Sequence, residues 1–443
     1  MIGAGGYVYL REDRDGEAGG ERRCLFSGFC NHELQGGLMY AVYCEHCQKE
    51  CSESALQVEC PECRNALFFR YSKTNFRPDA SHDSMWRYRH LLPVCEGSKF
   101  VSLHEGNTPL QRSRSWDGFE IFFKNETLNP TGSHKDRFLS VGLTKALEFG
   151  HKTVMLYSDG STALSSAAYA AQAGLKSITV VPRGTPDFRL LPLMIYGSPV
   201  IEYLGPPAEA LDWVHQMSRS LGIYETCTYR RANPYESEGP KTIGFEIFEQ
   251  LGRPPDWIVV PVGGGATLAA IWRAFSELRS QGLVSRLPRM VAVVPAGCDV
   301  LGIGLARKIQ SEQELMALAP REVPPTIQNK IAMRWPLDGV EAITAMLDTG
   351  GLVIQCSDAE ALDAQQRLGA NEGIYAEPSS AVALAASRKL LQMQKVSQGE
   401  SLVAVITGSG FRETGALSDC VTVRRTQVDA AAGASLLEKL LMS

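Results

Sequence analysis

The stretch Asn129-Pro-Thr-Gly-Ser-His-Lys-Asp-Arg137 joins an apolar run, Ile121 to Phe123, to periodic apolar residues that begin at Phe138. This pattern predicts a strand, a Pro/Gly turn and a helix that carries Lys135 in its first turn. The positive end of a helix dipole and partial desolvation both favour the neutral form of such an amine. A neutral amine condenses with aldehydes, so Lys135 is a candidate for covalent catalysis. The alternative is an ordinary surface lysine after a turn.

Strand-like runs alternate with amphipathic segments from about residue 98 onward. The runs cover residues 152–157, 177–181, 257–262, 290–294 and 402–406. Repeated strand–loop–helix units predict an α/β fold with open, mostly parallel sheets and helices on both faces. Ligands of such sheets bind beyond the carboxyl ends of the strands, where the loops described next are expected to lie.

Two of these loops are rich in backbone and hydroxyl donors. Gly263-Gly-Gly-Ala-Thr267 leads into a predicted helix and suits a single phosphate, although a tight turn is the alternative. It lacks the lysine of a nucleotide P-loop and the spacing of a dinucleotide fingerprint. Ser158-Asp-Gly-Ser-Thr162 suits a carboxylate, and helix capping by Ser161 or Thr162 is the alternative.

Cys44-Glu-His-Cys47 and Cys60-Pro-Glu-Cys63 form two CxxC pairs separated by residues 48–59. Two such turns present four thiolates to one tetrahedral ion, which predicts a zinc ribbon with the ligands Cys44, Cys47, Cys60 and Cys63. Four cysteine ligands leave no open position, so a structural Zn²⁺ is favoured over a catalytic one. Unpaired thiols or disulfides are the alternative. The acidic flanks of the pairs disfavour nucleic-acid binding.

Composition narrows the class of protein further. The chain has 443 residues, of which 44% are hydrophobic and 21% charged, with a net charge of -5. These values predict a globular protein without the basic field of a nucleic-acid binder. We expect no membrane span and no signal peptide, and a cytoplasmic protein whose scattered cysteines stay reduced.

The expected domain organisation runs along the chain in five parts. Residues 1–35 are predicted to be a mobile arm, 36–72 the zinc ribbon, and 73–97 a linker. Residues 98–425 are the predicted catalytic domain, with a small subdomain at about 138–232 inserted in a larger one. Residues 426–443 are predicted to be a C-terminal helix.

Taken together, these motifs resemble the fold-type II pyridoxal phosphate enzymes, whose fold is tryptophan-synthase-β-like, and among them threonine synthase. The resemblance covers nearly the whole chain from the ribbon to about residue 415. The matching pieces are Glu105-Gly-Asn-Thr-Pro-Leu110, the Lys135 stretch, Asn233-Pro-Tyr-Glu-Ser-Glu-Gly-Pro-Lys-Thr242, Val262-Gly-Gly-Gly265, Glu372-Gly-Ile-Tyr-Ala-Glu-Pro-Ser-Ser-Ala381 and Thr407-Gly-Ser-Gly410.

The resemblance implies a role for each motif. Lys135 would be the lysine that forms the Schiff base with the cofactor. The cofactor phosphate would bind Gly263, Gly264, Gly265, Ala266 and Thr267. Thr407 would face the ring nitrogen, and a hydroxyl there favours elimination and replacement over transamination. The substrate would meet Thr108, Ser158, Asp159, Gly160 and Thr162. A homodimer is also implied.

Two departures from the family pattern fall in this site. Ser161 stands where the family usually has an asparagine that contacts the 3′-oxygen of the cofactor. Glu236 stands where threonine synthases usually have an arginine for the substrate phosphate, and a carboxylate would repel that phosphate. Arg230 and Arg231 lie just upstream, so the positive charge has been relocated or the substrate differs. The alternative is that all three side chains face solvent.

The function expected is elimination or replacement at the β or γ carbon of a small-molecule amino acid, with pyridoxal 5′-phosphate as cofactor. Conversion of O-phosphohomoserine to threonine is the nearest specific reaction. The alternative is a specialised enzyme similar to cysteate synthase, diaminopropionate synthase or threonine dehydratase. A non-catalytic binding protein on the same fold is a weaker alternative, and a nucleic-acid-binding ribbon is the weakest.

Overall fold

The computed structural model describes residues 40–55, 57–71, 76–116 and 118–413. The arm predicted at residues 1–35 and the C-terminal helix predicted at 426–443 lie outside the described residues. The described strands are β1 (Tyr40–Cys44), β2 (Glu50–Cys51), β3 (Leu67–Tyr71), β4 (Leu110–Arg112), β5 (Glu120–Asn125), β6 (Thr153–Tyr157), β7 (Lys176–Pro182), β8 (Val200–Tyr203), β9 (Tyr224–Glu225), β10 (Trp257–Pro261), β11 (Arg289–Pro295), β12 (Leu352–Cys356) and β13 (Ser401–Ile406).

The α-helices lie mostly between the parallel strands. They are α1 (Lys135–Glu148), α2 (Ser161–Ala173), α3 (Asp187–Ile195), α4 (Pro207–Leu221), α5 (Lys241–Leu251), α6 (Ala266–Ser280), α7 (Val300–Arg307), α8 (Glu312–Ala317), α9 (Gly339–Thr349), α10 (Asp358–Glu372) and α11 (Pro378–Gln392). No helix in the described part of the chain is long and apolar enough to cross a membrane.

The strands form three sheets. A large sheet has the order β12-β11-β10-β13-β5-β4, and all its pairs are parallel except the edge pair β4–β5. A small sheet has the order β8-β7-β6-β9 and is parallel throughout. This arrangement confirms the predicted α/β fold with two open sheets.

The sequence of the central strands explains their place in the large sheet. β10 reads Trp-Ile-Val-Val-Pro and β13 reads Ser-Leu-Val-Ala-Val-Ile, and every residue of both strands is buried. A parallel strand covered by helices on both faces needs such a continuous apolar run, because neither face meets water. The loops that follow these two strands therefore leave the sheet at its carboxyl edge, beside each other.

A third, antiparallel sheet forms the N-terminal module, with the order β2-β1-β3. Its buried face includes Tyr40, Leu67 and Phe69, which cluster with Tyr235. The Phe69 and Tyr235 rings lie 5.1 Å apart. The module is thus packed against the segment that follows β9.

The segment predicted to be a linker is packed as well. Residues 76–97 include a 3-10 helix, Met85–Leu91, in which Trp86 is buried. The Trp86 ring stacks on Phe100 at 4.1 Å, and its Nε1 donates to Ser140 Oγ on α1 at 2.9 Å. This segment therefore covers the outer face of the helix that begins with Lys135.

Candidate active site

Lys135 is the first residue of α1, as the Pro/Gly turn before it predicts. The preceding turn is fixed to the end of β13, because the backbone N–H of His134 donates to the Thr407 carbonyl at 3.0 Å. A bridge between Ser133 and Gly408 adds to this junction. The structure therefore brings Lys135 and Thr407 together at the carboxyl edge of the large sheet, where an open α/β fold places its ligands.

The Lys135 side chain is held by a hydroxyl and a ring. Its Nζ donates to Thr228 Oγ1 at 3.0 Å and lies 4.4 Å from the centre of the Phe138 ring. Burial lowers the pKa of the Lys135 amine to about 8, and Glu236 and Asp338 oppose that shift only in part. About a tenth of this amine is therefore neutral at pH 7, and the neutral form is the one that attacks an aldehyde.

A buried network of ion pairs fixes the opposite face of α1. Arg137 binds Glu126 through Nε at 2.7 Å and Glu246 through Nη1 at 2.6 Å. Lys124 donates to Glu246 at 2.6 Å. Thr108, a predicted substrate residue, lies in this network, where its Oγ1 donates to Glu126 at 2.6 Å. Breaking one partner of such a network strands a buried charge, so the network holds α1 in one orientation.

The triple-glycine turn carries the geometry of an anion cradle. Gly265 has φ +105° and precedes α6, whose N-terminus has no side-chain cap, so its first backbone N–H groups are available to a ligand. A Cβ on Gly265 would lie 2.7 Å from the Asp338 carbonyl oxygen. The Asp338 N–H donates to the Gly264 carbonyl at 2.7 Å. The predicted residues Gly263, Gly264, Gly265, Ala266 and Thr267 therefore form one turn braced by residue 338.

Asp338 also connects this turn to the lysine. Its carboxyl contributes to the electrostatic field at Lys135, and its Oδ1 accepts from the Arg230 backbone N–H at 2.9 Å. Burial, with Glu341 nearby, raises the pKa of the Asp338 carboxyl to about 7. A buried amine at the end of β13 and a backbone cradle for an anion are thus linked through Asp338, and these residues fit a phosphorylated aldehyde.

The loop from Ser158 to Thr162 joins the site from the small sheet. The Thr162 hydroxyl lies 3.3 Å from Thr228 Oγ1, which itself binds Lys135. The Gly160 N–H donates to Ser158 Oγ at 3.1 Å. The neighbouring Ser161 hydroxyl accepts from Arg412 Nη1 at 2.6 Å. Hydroxyl and N–H groups of this loop are therefore close to the lysine.

Ion pairs join the same loop to the large sheet. Arg189 on α3 pairs with Asp159 and, at 2.9 Å, with Glu413. Lys330 pairs with Glu413 at 2.8 Å, and its Nζ would lie 3.1 Å from a Cβ on Gly160. These contacts tie the small subdomain to the large one beside the candidate site.

The side chains of Arg230 and Arg231 bind partners outside the loops just described. Arg230 is buried, with Nη2 2.9 Å from Glu238 and Nη1 donating to the Leu67 carbonyl at 3.1 Å. Arg231 pairs with Glu312 at 2.8 Å. The charges of both arginines are therefore engaged within the protein, at the contact with the N-terminal module.

Glu236 is fully buried, at 0% exposure, so the alternative that it faces solvent is wrong. Arg230 is also buried, which overturns the surface interpretation for that residue. Burial raises the pKa of the Glu236 carboxyl well above its usual range, with Glu225 adding to the shift.

The four cysteines of the N-terminal module converge. Their sulfurs all lie within 4.8 Å of one another, with Cys44 Sγ 3.4 Å from Cys63 Sγ and Cys47 Sγ 3.6 Å from Cys60 Sγ. A tetrahedral ion bound through sulfur at about 2.3 Å needs such spacing. The donor set fits Zn²⁺ at a closed site.

Sequence reasoning missed Thr228 and Asp338. Thr228 contacts Lys135 across 93 positions of the chain and lies in no recognisable motif. Asp338 approaches through the chain reversal before α9, which leaves no signal in local sequence. Only the tertiary fold brings these two side chains to the lysine.

Comparison with known proteins defines the class. The family model described as "Pyridoxal-phosphate dependent enzyme" matches residues 101–408. The chain belongs to this family, and the threonine synthase-like, pyridoxal phosphate-dependent lyase class predicted from the motifs is confirmed.

Individual relatives with known names show which members of the family this chain is similar to. Threonine synthase of Methanocaldococcus jannaschii is 34% identical over 383 residues, which cover 84% of this chain and 92% of the relative. Threonine synthase of Synechocystis sp. is 36% identical, covering 74% and 82%. Among solved structures, the processed form of threonine deaminase isoform 2 from Solanum lycopersicum aligns with a TM-score of 0.58 at 20% identity, covering 71% of this chain and 88% of the other. That likeness concerns the fold.

Proposed function

We propose that this protein uses pyridoxal 5′-phosphate to replace or eliminate a group on the side chain of a small amino acid, with conversion of O-phosphohomoserine to threonine as its reaction. The observation that carries the proposal is the buried Lys135 amine, with a pKa of about 8, at the edge of the large sheet. Asp338 connects this amine to the triple-glycine turn, which supports one cofactor reaching both.

In this proposal the cofactor's phosphate is held by the N–H groups of residues 263–267. Thr407 would face the ring nitrogen, and Ser161 would face the oxygen beside the aldehyde. When bound, pyridoxal phosphate serves as an electron sink for the α carbon of an amino acid. A neutral Lys135 amine is the base that removes the α-proton, and for γ chemistry it also moves a β-proton.

The loop from Ser158 to Thr162 is proposed to bind the substrate carboxylate through its N–H and hydroxyl groups, at the start of α2. Thr108, Arg230 and Arg231 have no direct role in this proposal, because their polar groups are engaged by Glu126, Glu238 and Glu312. Asp159 acts indirectly, by pairing with Arg189 beside the loop.

A spectroscopic screen tests the proposal. Purified protein reconstituted with pyridoxal phosphate should absorb in the visible region, and Lys135→Ala should lose that band. Lys176→Ala, at an exposed position of β7, is the matched control and should keep it. A protein that stays colourless with added cofactor would refute the proposal.

The substrate is then identified by adding O-phosphohomoserine, O-phosphoserine, O-acetylserine, O-acetylhomoserine, threonine and serine separately. We expect a spectral change with O-phosphohomoserine and release of threonine and phosphate. Silence with that compound and reaction with another would favour the specialised replacement or elimination enzyme. A cofactor band that responds to none of them would favour a non-catalytic binding protein.

We also propose that Cys44, Cys47, Cys60 and Cys63 hold one structural Zn²⁺. Thiolates must stay reduced to bind the ion, which supports a cytoplasmic location. Metal analysis should find one zinc per chain, and Cys60→Ser should lose it. The homodimer implied by the family resemblance is tested by light scattering of the purified protein.

A further inference from the structure

Glu236 carries a buried carboxyl group that no hydrogen bond satisfies. Both of its side-chain oxygens are buried, and neither has a hydrogen-bond partner among the described residues. Its backbone is fixed by contrast, because the Glu236 N–H donates to Asn233 Oδ1 at 3.2 Å. A buried polar group without a partner is costly, so its retention calls for a physical explanation.

The carboxyl lies against the helix that carries the reactive lysine. A Cβ on Gly142 would lie 2.5 Å from Glu236 Oε2, so glycine leaves the space that this oxygen occupies. Gly142 follows Lys135 on α1 by about two helical turns and therefore lies on the same face. The Lys135 amine is turned along that face, over the Phe138 ring. The Glu236 carboxyl thus lies against the face of α1 that also carries Lys135 and Phe138, farther along the helix.

One cation acts on the Glu236 carboxyl. The ionisable groups that interact electrostatically with it are Lys135 on α1, Tyr224 and Glu225 on β9, and Cys227 just beyond β9. Glu225 already has a hydrogen-bond partner, because His215 Nδ1 lies 2.9 Å from Glu225 Oε2. Lys135 is the single cation of this set, and Glu236 is in turn the largest favourable influence on the charged form of that lysine.

We propose that Glu236 is a positioning residue for Lys135, and that its carboxyl holds the proton that the lysine must lose before it reacts. The inference rests on the proposed function, in which Lys135 is the reactive lysine. In the reactive form the amine is neutral and the carboxyl is protonated. In the resting form the O–H bond has broken, its electron pair stays on oxygen, and the amine lone pair has formed an N–H bond.

This exchange needs no other reactant, because one proton moves between two groups of the same chain. In the structure the amine binds Thr228 and not the carboxyl, so the exchange requires the amine to turn from Thr228 toward Glu236, which its four flexible methylenes allow. Desolvation disfavours both charged groups when they are apart, and their mutual attraction favours them as a pair. The two groups therefore titrate together, with apparent pKa values that belong to the pair.

The test measures the ionisation of Lys135 in the full-length, cofactor-free protein. The rate of pyridoxal phosphate association is followed by absorbance as a function of pH in the native protein, Glu236→Gln, Gly142→Ala and Gly369→Ala. The native profile should show two coupled ionisations. Glu236→Gln should show a single ionisation, that of Lys135, with a pKa lower by about one pH unit or more, because a nearby opposite charge shifts a pKa by about 1–3 units. Below that pKa, its association should be about tenfold faster or more.

Gly142→Ala provides a second variant if Glu236→Gln fails to fold, because the added methyl displaces the carboxyl without removing it. Its profile should shift in the same direction. Gly369→Ala is the matched control, since a Cβ there meets nothing within 4 Å, and it should superimpose on the native profile. Infrared spectra should also lose a protonated-carboxyl band in Glu236→Gln.

A Glu236→Gln profile that superimposes on the native one would overturn the inference, as would an unshifted Gly142→Ala profile. If the native protein itself develops no absorbance with pyridoxal phosphate, the proposed function fails instead. The two failures are therefore distinguishable in one experiment.

Discussion

A comparison of Gly265→Ala with Gly264→Ala tests the anion cradle of the triple-glycine turn directly. The two neighbouring glycines differ in whether the fold has room for a side chain. Gly265 has φ +105°, and a Cβ there would lie 2.7 Å from the Asp338 carbonyl oxygen. A Cβ on Gly264 would meet nothing within 4 Å. The two variants add the same methyl group one residue apart.

The magnitude follows from two contributions. An alanine held at a positive φ outside its favoured regions costs about 1–3 kcal/mol. The Asp338 backbone would have to move away from the new methyl group, which weakens the hydrogen bond from its N–H to the Gly264 carbonyl. Such a bond contributes about 1 kcal/mol. Gly265→Ala should therefore destabilise the protein by about 3 kcal/mol, whereas Gly264→Ala should change the free energy of unfolding little.

Calorimetry of the cofactor-free variants measures this difference. The unfolding entropy is about 2.1 cal/mol/K per residue, so in a chain of 443 residues a loss of about 3 kcal/mol corresponds to a fall in Tm of roughly 3 °C. Cofactor titration should also show weaker binding by Gly265→Ala. The dissociation constant should rise tenfold for each loss of about 1.4 kcal/mol in binding free energy. Equal melting temperatures for the two variants would refute the argument that a strained glycine shapes the cradle.

Three further predictions follow from the site. Thr228→Val should slow catalysis by about tenfold, because Lys135 loses one hydrogen bond, whereas Thr228→Ser should keep most of the native rate. Equal rates for the two variants would contradict a role for the hydroxyl. Zinc removal by a chelator should lower the Tm, because Arg230 loses its contact with the Leu67 carbonyl; an unchanged melting curve after verified zinc loss would count against it. Because the pKa of Asp338 is raised in the folded protein, its protonation stabilises the fold fully below about pH 4, and this stabilisation is lost as the pH rises through about 7. Asp338→Asn should therefore be more stable than the native protein above pH 7 and equally stable at about pH 4. Denaturant unfolding at the two pH values measures the difference.

The parts of the fold that could be predicted are those encoded locally. The Pro/Gly turn before Lys135 stops one element and starts another, and α1 begins at that lysine. The apolar run of β10 and the glycines after it identify a buried strand and the start of α6. Each of these signals lies within a few residues of the feature that it predicts.

The side-chain partners could not be predicted, because they come from distant parts of the chain. Arg230 is held by Glu341, 111 positions away, and by the N-terminal module. Glu236 is buried because Gly142 on another helix leaves room for it. Exposure depends on such tertiary contacts, so a charged residue near a motif did not reveal whether it faces solvent, substrate or the interior.

The docking of the N-terminal module limits how the chain can be divided. The Leu67 carbonyl of β3 binds Arg230, whose own backbone N–H binds Asp338, and residue 338 in turn braces Gly264. A shortened gene that starts after residue 72 would remove the Leu67 carbonyl from Arg230, and it would remove the Tyr40, Leu67 and Phe69 side chains that cluster with Tyr235. A minimal catalytic fragment, or a chimera that borrows only the parallel sheets, therefore has to carry the cysteine-bearing sheet with it or redesign the surface beneath.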